Sequence, residues 1–252
     1  MFRKARGFAA AIVIGCVAGS LSALAEDMNC PTTAADPRFA LLSPPPCDNC
    51  AETKLELDEL RTLQRNRSEA ESKHAVADNE ISLARFIDGA GLHFDAAALA
   101  KCKPFFDKLG EKTKDVIDHA KPFFCRIRPY NQLNSDLKPL LVVKNSPAYP
   151  SGHTTYGTAV GAVLAQMVPE KRAEFYARSA DYAHSRMVVG VHYRSDIEAG
   201  KTLGMTVVAE AFANDNDFAA AFPEATKCIR EALGLPQAVG APIETAAPAA
   251  KP

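Results

Sequence analysis

The chain has 252 residues, of which 47% are hydrophobic and 23% charged, and 29 Lys and Arg against 30 Asp and Glu give a net charge of −1. These are the proportions of one large or two small globular domains, and they exclude a disordered tail protein, a collagen-like repeat and a polytopic membrane protein. With no basic excess, a broad nucleic-acid-binding face is not expected either.

Residues 1–25 read as a cleavable export signal. Arg3, Lys4 and Arg6 form a positive start, Phe8 to Leu24 is apolar and small, and Ala23-Leu24-Ala25 places the cut before Glu26. Gly15, Gly19 and two serines interrupt the apolar run, and no stop-transfer flank follows, which argues against a permanent anchor. The expected location is the periplasm, with secretion as the second choice. Cleavage removes three basic residues and Cys16, leaving a more acidic chain with Cys30, Cys47, Cys50, Cys102, Cys125 and Cys228. An even count in an exported chain suggests disulfides, and the sequence does not choose the pairing. Cys47-Asp48-Asn49-Cys50 lies in a Pro-rich segment without a following β-α-β pattern. A structural disulfide or knuckle is therefore expected there rather than a thioredoxin-like site.

Residues 26–50 form an irregular arm, because Pro31, Pro37, Pro44, Pro45 and Pro46 forbid regular helix. From Ala51 the pattern turns helical, with Leu57, Leu60 and Leu63 on one face. A second helical stretch is predicted from about Asn79 to Ile87, stopping near Gly89 and Gly91. Phe106, Leu109, Thr113, Val116, Ile117 and Ala120 mark a third, which Pro122 should kink or end and Pro129 close. Residues 130–150 are loop-like. A buried helix follows from Thr154 to Val168, apolar on nearly all sides. Pro169 starts the next, to about Val189. Ser195 or Asp196 caps another, carrying Ile197, Leu203 and Val207. The last spans about Pro223 to Leu233, and residues 235–252 form an Ala- and Pro-rich disordered tail. The expected fold is all-α, with a single helical domain over residues 51–234.

Three short segments carry the chemistry: Lys121-x6-Arg128-Pro129, Pro150-Ser151-Gly152-His153 and Ser185-Arg186-x5-His192-x3-Asp196. They combine three cations, two histidines, one carboxylate and a Ser-Gly pair at a predicted helix start. A tetrahedral phosphate needs donors on several oxygens. Arg128 and Arg186 can supply planar bidentate bonds and Lys121 a point charge. Ser151 and Gly152 lie where a helix N-terminus points free N–H groups at an anion, and Gly152 has no side chain to block approach. His192 and Asp196 are i, i+4. The carboxylate can fix the imidazole tautomer and leave the other nitrogen free to attack. His153 can protonate a leaving oxygen. The remaining histidines, His74, His93, His119 and His184, read as structural. No His-Glu-x-x-His, Asp-rich loop or thiolate cluster points to a metal, and three nearby cations repel one. Gly-x-Ser-x-Gly is absent around Ser151, so a serine-hydrolase elbow is not expected.

Together these eleven specified residues match the signature of the phosphatidic acid phosphatase type 2 / vanadium haloperoxidase superfamily, and the chain resembles the bacterial class A non-specific acid phosphatases. Leu41-Leu42-Ser43-Pro44-Pro45-Pro46 resembles the Pro-rich arm of that group. Arg126-Ile127-Arg128-Pro129 and Tyr149-Pro150-Ser151-Gly152-His153 resemble its motif contexts. The likeness runs from Leu41 to Leu235 and is dense from Lys121 to Gly204. It implies a helical bundle with the site at one end. It also implies His192 as a nucleophile forming a phosphohistidine, Asp196 as its support and His153 as general acid and base. Lys121, Arg128, Ser151, Gly152 and Arg186 would hold the phosphoryl oxygens. The implied activity is broad phosphomonoester hydrolysis without a metal or cofactor, on small-molecule phosphate monoesters, with no nucleic-acid polymer or stable membrane anchor as partner. A homo-oligomer is compatible with the resemblance and is not required by the composition. The alternatives are a vanadium-dependent haloperoxidase, a phosphotransferase or lipid phosphatase of the same superfamily, and a non-catalytic phosphate-binding module. Pro122 beside Lys121 departs from the pattern, residues 51–100 do not repeat the family's N-terminal helical motif, and Cys125 inside the first motif could pair with Cys102.

Overall fold

The computed structural model of the chain describes residues 35–144 and 146–237. The expected export signal, the start of the arm and most of the expected tail lie outside the described residues. Eight α-helices and three short 3-10 turns make up the regular structure among the described residues, with no strand. The helices are α1 (Ala51–Asn66), α2 (Glu69–Ala77), α3 (Leu83–Gly89), α4 (Ala96–Phe124), α5 (Gly152–Met167), α6 (Arg172–Val188), α7 (Arg194–Asn214) and α8 (Asn216–Ala232). The fold is all-α, as the periodicity predicts.

The bundle is built around α5. Its residues from Thr154 to Tyr156 and from Ala159 to Ala165 are buried on every side. Packed against it are α6 and α7, while α4 carries α8. Small residues set the distance. A Cβ on Gly157 or Gly161 of α5 would strike Tyr182 at 2.6 Å or Ser179 Oγ at 1.9 Å on α6. On the other side, a Cβ on Gly200 or Gly204 of α7 would meet α5 backbone oxygens at 2.8 Å (Ser151) or 2.6 Å (Thr155). The close crossing lets the starts of α5 and α7 share one end of the bundle. Leu109, Val116, Val160, Val163, Leu164, Leu203 and Phe218 fill the main core. Leu57 and Leu60 of α1 join Ala183, Met187, Tyr193 and Ile197 in a second cluster that pins α1 over the start of α7.

Several boundaries differ from the sequence pattern. The stretch 79–82 is not helical: α3 starts only at Leu83, with Ser82 accepting from Arg85 N at 3.1 Å as its cap. The periodicity does not predict α2, which has little amphipathicity but is started by a capping box in which Ser68 and Glu71 exchange bonds. Pro122 does not end α4. It sits in the last turn, and the helix stops at Phe124 because Cys125 takes a left-handed conformation at φ 47°, with its N–H on Lys121 O at 2.9 Å. The last helix begins not at Pro223 but at Asn216, capped by Asp215, which accepts from Phe218 N at 2.9 Å. Asp196 does not cap α7 as its first residue. It lies in the first turn and reaches back to accept from Tyr193 N at 2.9 Å.

The cysteines also correct the expectation. Cys102 of α4 pairs with Cys228 of α8 across 126 residues, and Cys125 is disulfide-bonded as well, so these two are not each other's partners. Cys47 and Cys50 do not form the expected disulfide: both are free thiols, and Cys50 Sγ donates to Cys47 O at 2.9 Å.

The α5–α7 crossing makes a prediction. Gly204→Ala puts a methyl into the backbone of Thr155 and should destabilise the protein by about 1–3 kcal/mol, read as a lower urea midpoint with an unchanged slope.

Candidate active site

The turn after α4 supplies the first group of charges. Left-handed Cys125 ends α4, and the chain that follows brings Arg128 close enough to Lys121 to act on its charge. Backbone bonds then lock the three motif segments together. Ala148 N donates to Arg126 O at 2.8 Å, and Ser151 N to Asp196 O at 3.0 Å. Arg128 Nη1 adds a bond to Val191 O at 2.8 Å. Segments distant in sequence thereby meet at one end of the bundle.

His192 is 2% exposed and sits at the centre. Its Nδ1 lies 3.2 Å from Asp196 Oδ2, and its Nε2 lies 3.0 Å from Arg128 Nη1. A guanidinium has only protons to give, so Nε2 accepts and Nδ1 carries the hydrogen donated to Asp196. That tautomer leaves a lone pair on Nε2. Burial, then the charges of Arg128, Lys121 and Arg186, hold the His192 pKa well below the usual imidazole value, which keeps the ring neutral.

The cations are as crowded as the imidazole. Lys121 donates to Pro147 O, and Arg128 Nε to Ser146 O at 2.9 Å. Burial and then Arg128 push the Lys121 ammonium well down, while burial is the chief cause that lowers Arg186 to about 10. Arg186 is 1% exposed, yet its Nε and Nη1 have no hydrogen-bond partner among the described residues. Its Nη2 makes a long bond of 3.4 Å to Asn79 Oδ1. Unpaired buried guanidinium donors are costly and mark a place where an acceptor belongs.

Ser151 caps α5 and is wholly buried. It takes up Thr154 N through its hydroxyl and Thr155 N through its carbonyl. The amides of Gly152 and His153 are left as first-turn donors without a partner among the described residues, facing the field of the helix N-terminus. His153 is half-buried and lies 3.1 Å through Nε2 from Asn79 O, a carbonyl, so that nitrogen holds the hydrogen. Burial first, then Arg186, press its pKa down to about 3.

The structure therefore gathers all eight predicted residues around one seat: Lys121, Arg128, Ser151, Gly152, His153, Arg186, His192 and Asp196. It adds three that the sequence reading gave no role. Asn79, in the turn between α2 and α3, touches both His153 and Arg186. Arg126 donates through Nη1 to Asp196 Oδ1 at 2.7 Å, and Glu56 of α1 accepts from Arg126 Nη2 at 2.7 Å. The sequence signal for Arg126 is its place in Arg126-Ile127-Arg128-Pro129, which resembles the context of the first motif. Asn79 and Glu56 carried none. Behind Asn79, the buried carboxylate of Asp78 binds Arg178 at 2.6 Å, Arg85 at 2.7 Å and the hydroxyl of Ser185 at 2.7 Å, which fastens the turn to α6. His74, Asp78 and Asp181 come close enough to ligate a cation. Arg178 and Arg85 already neutralise those carboxylates, so the cluster is an ion-pair network.

Gly152 separates packing from binding. A Cβ there would meet only Ile117, at 3.4 Å, so the protein itself tolerates alanine. Gly152→Ala should leave the melting temperature within about 2 °C of the parent. It should weaken inorganic phosphate binding about tenfold or more, measured by calorimetry, because the methyl enters the space before the first-turn amides.

Comparison with known proteins agrees with this geometry. Residues 105–218, which hold all three motifs, match the PAP2 superfamily. The chain is 36% identical over 88 residues to the non-specific acid phosphatase of Salmonella typhimurium, covering 34% of this chain and 35% of that one. It is 30% identical over 154 residues to the acid phosphatase of Zymomonas mobilis, 57% of each. The matches thus span from about a third to somewhat over half of these curated relatives. Among solved structures, the transmembrane PAP2 type phosphatidylglycerolphosphate phosphatase of Bacillus subtilis superposes with a TM-score of 0.50 at 14% identity, over 67% of this chain and 88% of that one. A bacterial vanadium-dependent iodoperoxidase does so with a TM-score of 0.50 at 23% identity, over 71% and 53%. These two share the fold. Among the described residues no helix is long and apolar enough to cross a membrane. The segment that carries Lys121 through Asp196 is thus similar to the PAP2 superfamily.

Proposed function

We propose that the protein is a phosphomonoesterase of the non-specific acid phosphatase kind that works through a phosphohistidine on His192. The observation that carries this reading is the pairing of a His192 Nε2 lone pair, with Nδ1–H held by Asp196, and an Arg186 whose buried Nε and Nη1 lack an acceptor. The acid phosphatases of Salmonella typhimurium and Zymomonas mobilis that match the motif region support the substrate class.

In the first step the Nε2 lone pair attacks phosphorus and the bond to the leaving oxygen breaks. His153 gives that oxygen its proton, and the alcohol departs. In the second step His153, now neutral, takes a proton from water. The resulting hydroxide attacks phosphorus, the P–N bond breaks, and inorganic phosphate and neutral His192 are restored. Asp196 accepts the Nδ1 hydrogen throughout and stabilises the charge that appears on the ring. Lys121, Arg128, Arg186 and the amides of Gly152 and His153 stabilise the equatorial oxygens, the work that a metal does in other phosphoryl-transfer sites.

The low pKa of His153 belongs to the site without an anion. A phosphate dianion offsets the fields of Arg186, Lys121 and Arg128, the three charges that press on this imidazole. The proton needed by the leaving group then becomes stable on the ring. Titration of the His153 ring by NMR should show its pKa rising by about one unit or more when inorganic phosphate binds. An unmoved titration would remove His153 from the acid role.

The direct test is hydrolysis of an aryl phosphate by the protein and by His192→Ala, each with excess EDTA. Activity should survive the chelator and fall about a thousandfold or more in the variant. Loss of activity to EDTA would indicate a metal centre. Vanadate-dependent halide oxidation in place of hydrolysis would assign haloperoxidase chemistry instead.

A further inference from the structure

Asp196 is fully buried, and charged or titratable groups face it from several elements: His192 and Tyr193 at the start of α7, Lys121 in α4, Arg126 and Arg128 after it, and Tyr149 before α5. Among the described residues, Arg126 is the one cation that hydrogen-bonds its carboxylate, and it does so through Oδ1, the oxygen that does not face His192. The other bonds of Arg126 run away from the anion seat: Nη1 to Ser195 Oγ at 2.6 Å, and Nη2 to Glu56 Oε2 at 2.7 Å and to Thr53 Oγ1 at 3.5 Å. Its guanidinium lies 3.9 Å from the centroid of the Tyr193 ring. Glu56 is itself mostly buried and faced by Arg194. It accepts the backbone N–H of Ser195 at 2.6 Å, so it grips the turn of α7 that carries Asp196. The chain of contacts is Glu56, Arg126, Asp196, His192.

We infer that Arg126 and Glu56 are positioning residues: they hold Asp196 ionised and fixed, so that His192 keeps its hydrogen on Nδ1 and presents Nε2 to phosphorus. The inference rests on the reading of His192 as the nucleophile. A carboxylate buried this deeply without a cation partner takes up a proton. A protonated Asp196 has a hydrogen to donate to Nδ1, which moves the ring hydrogen to Nε2 and removes the attacking lone pair. Arg126 prevents that without touching substrate. Glu56 shares the charge of Arg126 and fixes where its guanidinium points.

The two residues act on Asp196 with opposite sign. Without the Arg126 charge, Asp196 protonates at higher pH. Without the Glu56 charge, Arg126 bears on Asp196 alone, and Asp196 protonates at lower pH. The test is the pH profile of kcat for Arg126→Met, Arg126→Lys and Glu56→Gln on an aryl phosphate, with the inhibition constant of inorganic phosphate and the melting temperature read in parallel. Arg126→Met should lower kcat about tenfold or more and move the acid limb up, with phosphate inhibition changed by less than about threefold. Arg126→Lys should return the limb toward the parent, and Glu56→Gln should move it down. Losses of kcat and of phosphate affinity in step, with no movement of the limb, would overturn the inference and leave the two residues a packing role. Should Arg126→Met not fold, the opposed shifts of Arg126→Lys and Glu56→Gln decide the matter, since a packing defect moves both the same way or neither. Should the parent hydrolyse no phosphate ester, the proposed function fails separately. Nitrogen NMR of His192 then tests the inference alone: the ring should stay hydrogenated on Nδ1 between pH ~5 and ~8 in the parent and lose that preference in Arg126→Met. The same tautomer in both would overturn it.

Discussion

Lys121, Arg128 and Arg186 repel one another at a buried end of the bundle, where Lys121 and Arg128 feel the carboxylate of Asp196 and Arg186 that of Asp78. Water screens them weakly there, and like charges at short range in a poorly screened site destabilise the folded chain. The arrangement persists because packing imposes it. The Gly200 and Gly204 face of α7 lies against α5, which fixes the start of one helix beside the start of the other. Backbone bonds from Ala148 to Arg126 and from Ser151 to Asp196 leave the motif loops little room to relax. The cations therefore make this end of the bundle strongly positive, and a bound oxyanion relieves several unfavourable interactions at once. Ligand binding should in that way add to the stability of the fold.

The same field sets the proton chemistry. It holds both imidazoles neutral when no anion is present, through burial and through the neighbouring cations. For His192 that state is useful directly, since a neutral ring with its hydrogen on Nδ1 is a nucleophile. For His153, under the proposed function, it is a resting state that a bound phosphate reverses. Two histidines of one pKa in water thus acquire different tasks from their surroundings: one is gripped by a carboxylate, the other by a backbone carbonyl.

Much of the helical pattern was legible in the chain itself. The apolar stripes of α1 and α4 and the all-round apolarity of α5 are local properties, set by a 3.6-residue period. Where that signal is weak, other interactions set the helices. No strong apolar stripe runs along α2, which is held instead by the Ser68–Glu71 box and by contacts of Asp78 and His74 with α6. Pro122 and Pro223 looked like boundaries, yet each sits inside a helix whose end is fixed elsewhere, by the left-handed Cys125 and by the Asp215 cap. A proline removes one ladder bond, and tertiary packing can outweigh that loss.

For the site, the sequence by itself determined which side chains bring charge and proton chemistry, because the spacing within each motif is short and survives folding unchanged. It could not say which nitrogen of His192 is free, that Asn79 holds His153, that Cys102 pairs with Cys228, or that Glu56 and Arg126 stand behind Asp196. Each of these is a contact between segments far apart in the chain. Only the approach of α1, α4, α5, α7, α8 and the turn between α2 and α3 decides them, and that approach is set by the volumes packed between helices, which no local period encodes.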